Sequence, residues 1–284
     1  MKNGLPAGFP QARVVTLTEC GTHAQINAAV GGFSGGEPEL AIKLAGSAGG
    51  MLVIMDRGFP GVALWKAFTG ARAHLLIRAR SCVAARPVEH LSDGTYPARM
   101  NLAGQKGNHP GGVRVRVVEY SIDGGEVIRL LTDLLDPEEY PASELAALYH
   151  ARWEAESAFR QIKTFQRGRS QVLRSGDPEL VRQEIWAHLV IHGCLTRIIV
   201  GLAEETCTEP SRISFVKVLK HARRSVLHQC ADTPTRIKEF LVELAAKTRR
   251  KLDNGARRLR EADRHLRQPD SNYSSKHSYR TKPR

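Results

Sequence analysis

The sequence has few cysteines and few aromatic residues, and it has no long uninterrupted apolar run. Its five cysteines are scattered and include no Cys-x-x-Cys pair, which argues against a disulfide framework or a thiolate zinc site. The longest apolar stretch, residues 185–203, is interrupted by His188, His192 and Arg197, so we predict no membrane span. The first twenty residues lack a basic-then-apolar leader, which favours a cytoplasmic location over secretion.

The chain is rich in basic residues, and their distribution is uneven. Of 284 residues, 42% are hydrophobic and 25% are charged, which excludes a wholly disordered chain. The formal net charge is +13. Residues 1–142 hold 14 basic and 13 acidic side chains, whereas residues 143–284 hold 28 and 16. A cationic half of this size favours a polyanionic partner, most commonly nucleic acid. The alternative is a basic surface that serves solubility alone.

Hydrophobic periodicity predicts an α/β or α+β fold in the first 80 residues. Strands are predicted at 13–20, 24–30, 51–55 and 74–80, with helices at 37–48 and 60–68. Residues 81–140 are glycine-rich and predict a mostly β insertion, with strands at 113–120 and 127–132. Helices follow at 143–164, after the capping pair Asp177 and Pro178, at 213–227 and at 235–266.

Four polar residues share one face of the helix predicted over residues 143–164. At about 100° per residue, Tyr149, Arg152, Glu156 and Lys163 fall within an arc of roughly 60°, and Arg160 joins them. The neighbouring stripe is apolar: Leu148, Ala151, Ala155, Phe159 and Ile162. The polar face is open to two interpretations, a binding site centred on a carboxylate or a solvated helix supported by Arg–Glu ion pairs at i,i+4.

The spacing Tyr-x2-Arg-x3-Glu-x6-Lys at 149–163 resembles the signature of the Asp-Asp-Glu transposases of the insertion-sequence-4 family. A second block, Met55-Asp56-Arg57-Gly58-Phe59 after an apolar strand, is similar to the family's second catalytic aspartate. Three further segments, residues 8–23, 70–80 and 135–164, also resemble the family's sequences. The resemblance extends to about residue 228, and the two signatures occur in the right order.

This resemblance implies a ribonuclease-H-like core and a metal-dependent reaction on DNA. It implies two Mg²⁺ ions about 4 Å apart at the scissile phosphodiester, with Mn²⁺ as a substitute. Asp56 and Glu156 would be the catalytic metal ligands, because carboxylate oxygens suit hard cations. The DNA-binding residues would be Tyr149, Arg152, Arg160, Lys163 and Arg57. The implied partners are double-stranded DNA, as terminal inverted repeats and target, and a second copy in a homodimer on paired ends. The location would be the bacterial cytoplasm, at the nucleoid when DNA-bound.

The resemblance also divides the chain into five regions. They are a partial ribonuclease-H-like core at 1–80, a β-rich insertion at 81–140, the catalytic-glutamate helix with the following helices at 141–230, a basic helix at 231–267 and a disordered tail at 268–284.

One expected carboxylate is missing. In the family, the first aspartate lies in Asp-Gly-Thr on the opening, central strand, yet no aspartate precedes Asp56. We interpret Asp93-Gly94-Thr95 as a turn, and Glu19 as at best a weak substitute. The sequence therefore predicts a truncated, inactive transposase that lacks its central strand. The alternatives are a non-catalytic DNA-binding remnant and, less favoured, a ribonuclease-H-like nuclease unrelated to transposition.

Two further pairs of residues are interpreted as structural. His188 and His192 are spaced for a metal, but they lie in an apolar helix without the Glu-x-x pattern of zinc proteases, so we predict packed core residues. Trp153 and Trp186 are likewise predicted to be core anchors.

Overall fold

The computed structural model describes residues 11–32, 34–80, 90–101, 111–122, 126–168, 172–228 and 264–266. These residues fall into two compact units. We call residues 11–16, 28–152 and 264–266 the sheet unit, and residues 17–27 and 153–228 the helical unit. A hairpin of β1 (Ala12–Thr18) and β2 (Gln25–Gly32) runs through both and forms a two-stranded sheet of its own.

The sheet unit is built on a mixed sheet of six strands. Its order is β3-β4-β7-β6-β5, and β8 also pairs with β6. The strands are β3 (Leu52–Met55), β4 (His74–Arg78), β5 (Tyr96–Met100), β6 (Val113–Ile122), β7 (Val127–Thr132) and β8 (Arg264–Leu266). The first two strands are parallel and the others pair antiparallel. This is the α/β class that the sequence predicts.

The parallel pair β3 and β4 is joined by helix α2 (Val62–Gly70). Parallel neighbours need such a crossover, because a tight turn can join only antiparallel strands. Helix α2 buries Val62, Leu64, Trp65 and Phe68. It also packs against the short helix α1 (Glu37–Ile42). The crossover brings the carboxyl ends of β3 and β4 side by side at one edge of the sheet.

Helix α3 (Ala142–Tyr149) packs its apolar face on the sheet. Its buried residues follow helical spacing: Ala142, Leu145, Ala146 and Tyr149. They form one cluster with residues of three strands, including Leu76, Val118 and Leu130, each fully buried. Burial of this kind contributes about 25 cal/mol per Å² of apolar surface, so the cluster anchors the helix.

The helical unit contains α4 (Trp153–Arg160), a π-helical segment (Gln161–Gln166), α5 (Pro178–Glu205) and α6 (Phe215–His228). Its core forms between the last two helices, where Leu195, Ile199 and Leu202 meet Phe215 and Val218. Phe165 of the π-helical segment packs against the same cluster.

Several predicted elements are confirmed, and two are wrong in form. The strands predicted at 51–55, 113–120 and 127–132 are β3, β6 and β7, and the helix predicted at 213–227 is α6. The single helix predicted at 143–164 is wrong, since a 3₁₀ turn (His150–Arg152) separates α3 from α4 and the π-helical segment follows. The predicted tail 268–284 and most of the predicted helix 235–266 lie outside the described residues. The described part of that helix, Arg264–Leu266, is a strand.

Within the described residues, one helix is long and apolar enough to cross a membrane by length and composition alone. This helix is α5, and 39% of its most apolar window is buried inside the protein. Core helices of globular proteins meet the same two criteria. Helix α5 contributes four residues to the core of the helical unit, Leu195, Ile199, Leu202 and Ala203.

The start of α5 is fixed by a side-chain cap, as the sequence predicts. Asp177 Oδ1 accepts hydrogen bonds from the backbone N–H groups of Glu179 and Leu180, at 2.9 and 3.1 Å. We expect Asp177→Ala to lower the free energy of unfolding by about 1 kcal/mol, because two N–H groups at the helix start lose their partner. Urea denaturation checks this, with Asp177→Ser as the control that keeps a capping oxygen. Equal losses in both variants would contradict the capping role.

His192 of α5 makes stability depend on pH. Its side chain is fully buried, with its ring centroid 5.4 Å from that of Phe215. Burial, helped by nearby His23, lowers the pKa of His192 to about 4. The unfolded chain therefore binds a proton between about pH 6.5 and 4 that the folded chain does not.

We expect the free energy of unfolding to fall by about 3 kcal/mol as pH decreases through this window, with the full contribution present above about pH 6.5. Denaturation curves at pH 7.5, 6, 5 and 4 measure the slope. A His192→Gln variant has no titrating ring and should lose this component. A parent-like slope in that variant would contradict the assignment.

Candidate active site

Asp56 lies directly after β3, at the carboxyl end of the parallel pair. Its Oδ1 accepts a hydrogen bond from the Gly58 N–H at 2.7 Å, which leaves Oδ2 without a hydrogen bond from the described residues. A Cβ atom at Gly58 would lie 2.9 Å from Oδ1, closer than real Cβ contacts allow. The block Asp56-Arg57-Gly58 therefore forms a tight loop that turns one carboxylate oxygen inward and leaves the other available.

Arg80, which lies two residues after the end of β4, holds this loop in place. Its guanidinium donates to the backbone carbonyls of Arg57 and Gly58, at 3.0 and 3.1 Å. Arg57 itself is exposed. Sequence reasoning missed Arg80, whose only signal is its position just after a strand that runs parallel to β3.

The Tyr149 hydroxyl lies within electrostatic range of three charged side chains, those of Asp56, Arg152 and Arg78. Burial raises the pKa of the Tyr149 hydroxyl; the guanidinium groups of Arg152 and Arg78 oppose this shift, and the Asp56 carboxylate adds to it. The Arg152 guanidinium lies 5.9 Å from the centroid of the Tyr149 ring and is hydrogen-bonded to this side chain. Arg78, which the sequence analysis did not select, also pairs with Glu126 at 2.9 Å.

Glu156, Arg160 and Lys163 belong to the helical unit, and all three are exposed. Glu156 lies in the middle of α4, Arg160 ends it, and Lys163 is in the π-helical segment. The cations rest on aromatic rings, since the Arg160 guanidinium is 5.8 Å from the Phe165 centroid and the Lys163 ammonium is 5.0 Å from that of Phe159.

The predicted polar stripe is therefore interrupted. A 3₁₀ turn rotates the chain by about 120° per residue instead of 100°, so regular α-helical spacing does not continue from α3 into α4. Tyr149 is 7% exposed whereas Glu156 is exposed, although regular α-helical spacing would give them one face. Leu148, predicted on the apolar stripe, is 43% exposed, because α3 turns Ala142, Leu145, Ala146 and Tyr149 toward the sheet.

Asp93-Gly94-Thr95 is a structural turn, as the sequence analysis interprets it. The Asp93 carboxylate accepts hydrogen bonds from the Thr95 N–H (3.1 Å) and hydroxyl (2.6 Å) and from the Ala142 N–H (3.2 Å), and it pairs with Arg116. Burial alone would raise the pKa of Asp93, but these bonds and the Arg116 charge together lower it. The Asp93 carboxylate thus connects its own turn to β6, through Arg116, and to the start of α3, through Ala142.

Glu19 is also engaged in a turn, between β1 and β2. Its carboxylate accepts hydrogen bonds from the Gly21 N–H at 2.8 Å and from the N–H and hydroxyl of Thr22. Burial opposes these bonds, which nevertheless lower the pKa of Glu19. Like Asp93, this residue has a local structural task.

Of the two remaining interpretations from the sequence, the one on the tryptophans is wrong. His192 is a buried core residue, as predicted, and His188 is half-buried. The prediction that Trp153 and Trp186 are core anchors is wrong, since they are 50% and 39% exposed. Both tryptophans lie on outward faces of α4 and α5. No group of three or more His, Cys, Asp or Glu residues within the described ranges is placed to hold a metal ion.

Comparison with known proteins identifies the family. The family model described as "Transposase DDE domain" matches residues 32–192, more than half of the chain. The transposase InsG for insertion sequence element IS4 of Escherichia coli K12 is 31% identical over 252 residues. That alignment covers 86% of this chain and 57% of the relative, so the chain spans a little over half the relative's length. The chain belongs to the family of transposases that carry a DDE domain.

Proposed function

We propose that this chain carries the catalytic region of an insertion-sequence transposase that cleaves phosphodiester bonds at transposon ends and joins them to target DNA. The observation that carries the proposal is the Asp56 loop, where an available carboxylate oxygen at the end of a parallel strand lies within electrostatic range of the Tyr149 hydroxyl. Ligand sites in open α/β sheets are found at this position. Family membership supports the same reaction class.

Asp56 and Glu156 are the proposed ligands of Mg²⁺. Both are oxygen donors, which fits a hard cation and not a softer metal. These two carboxylates would hold a metal that, when bound, would supply Lewis-acid chemistry to the attacking water or 3′-hydroxyl and to the leaving oxygen. The protein's own contribution is to hold Asp56 in one conformation, through Gly58 and Arg80.

The cationic residues are proposed to hold the DNA backbone. Arg57, Arg160 and Lys163 are exposed and free to approach phosphates, whereas Arg152 is half-buried beside Tyr149. Such contacts position the duplex without reading its sequence. The proposed partners are the terminal inverted repeats, target DNA and a second copy of the chain on paired ends.

A second candidate function is DNA binding without cleavage. It is favoured by one observation: among the described residues, the two other carboxylates considered as a third ligand, Asp93 and Glu19, are committed to turns. A site with two carboxylates would bind metal weakly and cleave slowly or not at all.

A nicking assay separates the two candidates. The purified chain is incubated with a labelled duplex that carries the inverted repeats flanking its gene, with Mg²⁺, with Mn²⁺ and with EDTA. Cleavage that requires metal supports the catalytic proposal. Binding without cleavage supports the second candidate. The affinity should then fall as the salt concentration rises, because binding through phosphates releases counterions from the DNA. A chain that neither cleaves nor binds contradicts both.

A further inference from the structure

A chain of four hydrogen-bonded side chains crosses the helical unit and involves no residue assigned above to metal or DNA. It begins at Glu154 on α4, whose Oε2 accepts from Nε2 of His23 in the β1–β2 turn. Nδ1 of His23 accepts from the amide nitrogen of Gln161 at 3.0 Å. Oε1 of Gln161 accepts from Nε2 of His192 on α5 at 2.9 Å. Four separate segments thus meet through one row of polar contacts.

The row has a single direction. The Gln161 amide nitrogen can only donate a hydrogen bond, so Nδ1 of His23 is the acceptor and its Nε2 faces the Glu154 carboxylate. The Gln161 amide must then turn its N–H toward His23 and its oxygen toward His192. Burial keeps His192 neutral, with a pKa of about 4, so its one proton lies on the donating Nε2. Matched rows of this kind specify one arrangement of the groups that they join.

Helix α4 buries little apolar surface. Ala158 is its one buried residue, and Trp153 at its start is 50% exposed. An alanine buries little apolar area and fixes no rotation about the helix axis. The contacts of Glu154 and of Gln161, which follows the helix directly, therefore help to hold α4 in its orientation within the helical unit.

His23 is held in an uncommon backbone conformation. Its φ of 65° lies in the left-handed region, which costs energy for a residue other than glycine. The Glu19 carboxylate builds the turn that imposes this conformation, and the His23 N–H donates to the Glu19 carbonyl at 3.0 Å. The His23 side chain is 8% exposed. Strain is retained here together with a buried imidazole that bonds on both sides.

We propose that His23 and Gln161 are positioning residues that set the orientation of Glu156 through α4. The two attachment points bracket this glutamate, since Glu154 precedes it by two residues and Gln161 follows it by five. A metal ligand is effective only if the helix that carries it is held still. The inference rests on the proposed metal-binding role of Glu156.

Binding of Mn²⁺ to the purified chain with duplex DNA, followed by the paramagnetic resonance of the free ion, tests the inference without requiring turnover. His23→Asn removes the imidazole while tolerating a positive φ. We expect it to weaken Mn²⁺ binding about 10-fold, the loss typical when a supporting partner of a metal ligand is removed. Gln161→Met removes both amide contacts at similar volume and should act alike, and it provides the test if His23→Asn does not fold.

Two controls separate positioning from general stability. His74→Asn makes the same change at an exposed histidine that pairs with Asp133 at 2.8 Å, and it should leave Mn²⁺ affinity within about two-fold, since surface pairs contribute little. On a Glu156→Gln background, His23→Asn should cause no further loss.

The outcomes are distinguishable. Weaker binding in Glu156→Gln with parent-like binding in His23→Asn would overturn the inference alone, as would an equal effect of His23→Asn with and without Glu156. Unchanged affinity in Glu156→Gln would overturn the proposed metal site together with the inference.

Discussion

Asp93→Ala is expected to lower the free energy of unfolding by about 3–5 kcal/mol, because it strands a buried charge. Its partner Arg116 is fully buried in β6. The Arg116 guanidinium also donates to the Thr95 hydroxyl at 2.8 Å and to three backbone carbonyls, those of Leu134, Asp136 and Tyr140 at 3.3, 3.2 and 2.7 Å. These neutral acceptors share the hydrogen bonds of Arg116 but do not neutralise its charge.

Urea denaturation of three variants tests this expectation. Asp93→Asn keeps a hydrogen-bonding side chain and removes the charge, so it isolates the electrostatic part. Glu126→Ala removes the acid of an exposed arginine pair, with Glu126 72% exposed, and should cost no more than about 1 kcal/mol. Losses of similar size in Asp93→Ala and Glu126→Ala would show that burial adds nothing to the Asp93–Arg116 pair.

Glu156→Gln is expected to reduce metal-dependent cleavage at least about 1,000-fold, equivalent to about 4 kcal/mol of transition-state stabilisation. The amide is neutral and a poor ligand for Mg²⁺. Because Glu156 is exposed, its replacement should change the free energy of unfolding by no more than about 0.5 kcal/mol. Asp56→Asn should lose a similar amount of activity, and the double variant should lose little more, as residues that act as a unit are not additive.

Cleavage of the labelled duplex under single-turnover conditions provides the measurement. Glu144→Gln, an identical change at an exposed glutamate of α3, serves as the control and should retain activity within about two-fold. Cleavage by Glu156→Gln above a tenth of the parent rate would contradict the assignment of this glutamate as a metal ligand.

The local sequence predicted the parts of this fold that depend on the spacing of apolar residues and on residues that start or end a helix. The apolar run before Asp56 predicted β3, and Asp177 with Pro178 predicted the start of α5. Strand β5 (Tyr96–Met100) was missed, because it contains Pro97 and β-pairing there is set by β6. The 3₁₀ turn at His150–Arg152 was missed too, since a change of hydrogen-bond register leaves no mark on the spacing of apolar residues.

The candidate site was predicted only in its family-like residues. Asp56 and the Tyr-Arg-Glu-Lys spacing were selected from the motif, whereas Arg80, Arg78 and His23 were not. Each of these three acts through a partner more than twenty residues away in sequence. The exposure of Trp153 and Trp186 was unpredictable for a similar reason, because amphipathic spacing does not say which face of a helix meets a neighbour.

The buried Arg116 has a consequence for cooperativity. This one side chain joins the turn at Asp93 to the loop that leads into α3, and the β4–β7 ladder joins the same sheet region to β4. Strands β5 to β7, which lie in the region predicted from the sequence to be an insertion, are thus expected to exchange their amide hydrogens with solvent at one common rate with β4 and α3. The predicted insertion would then unfold only together with the rest of the sheet.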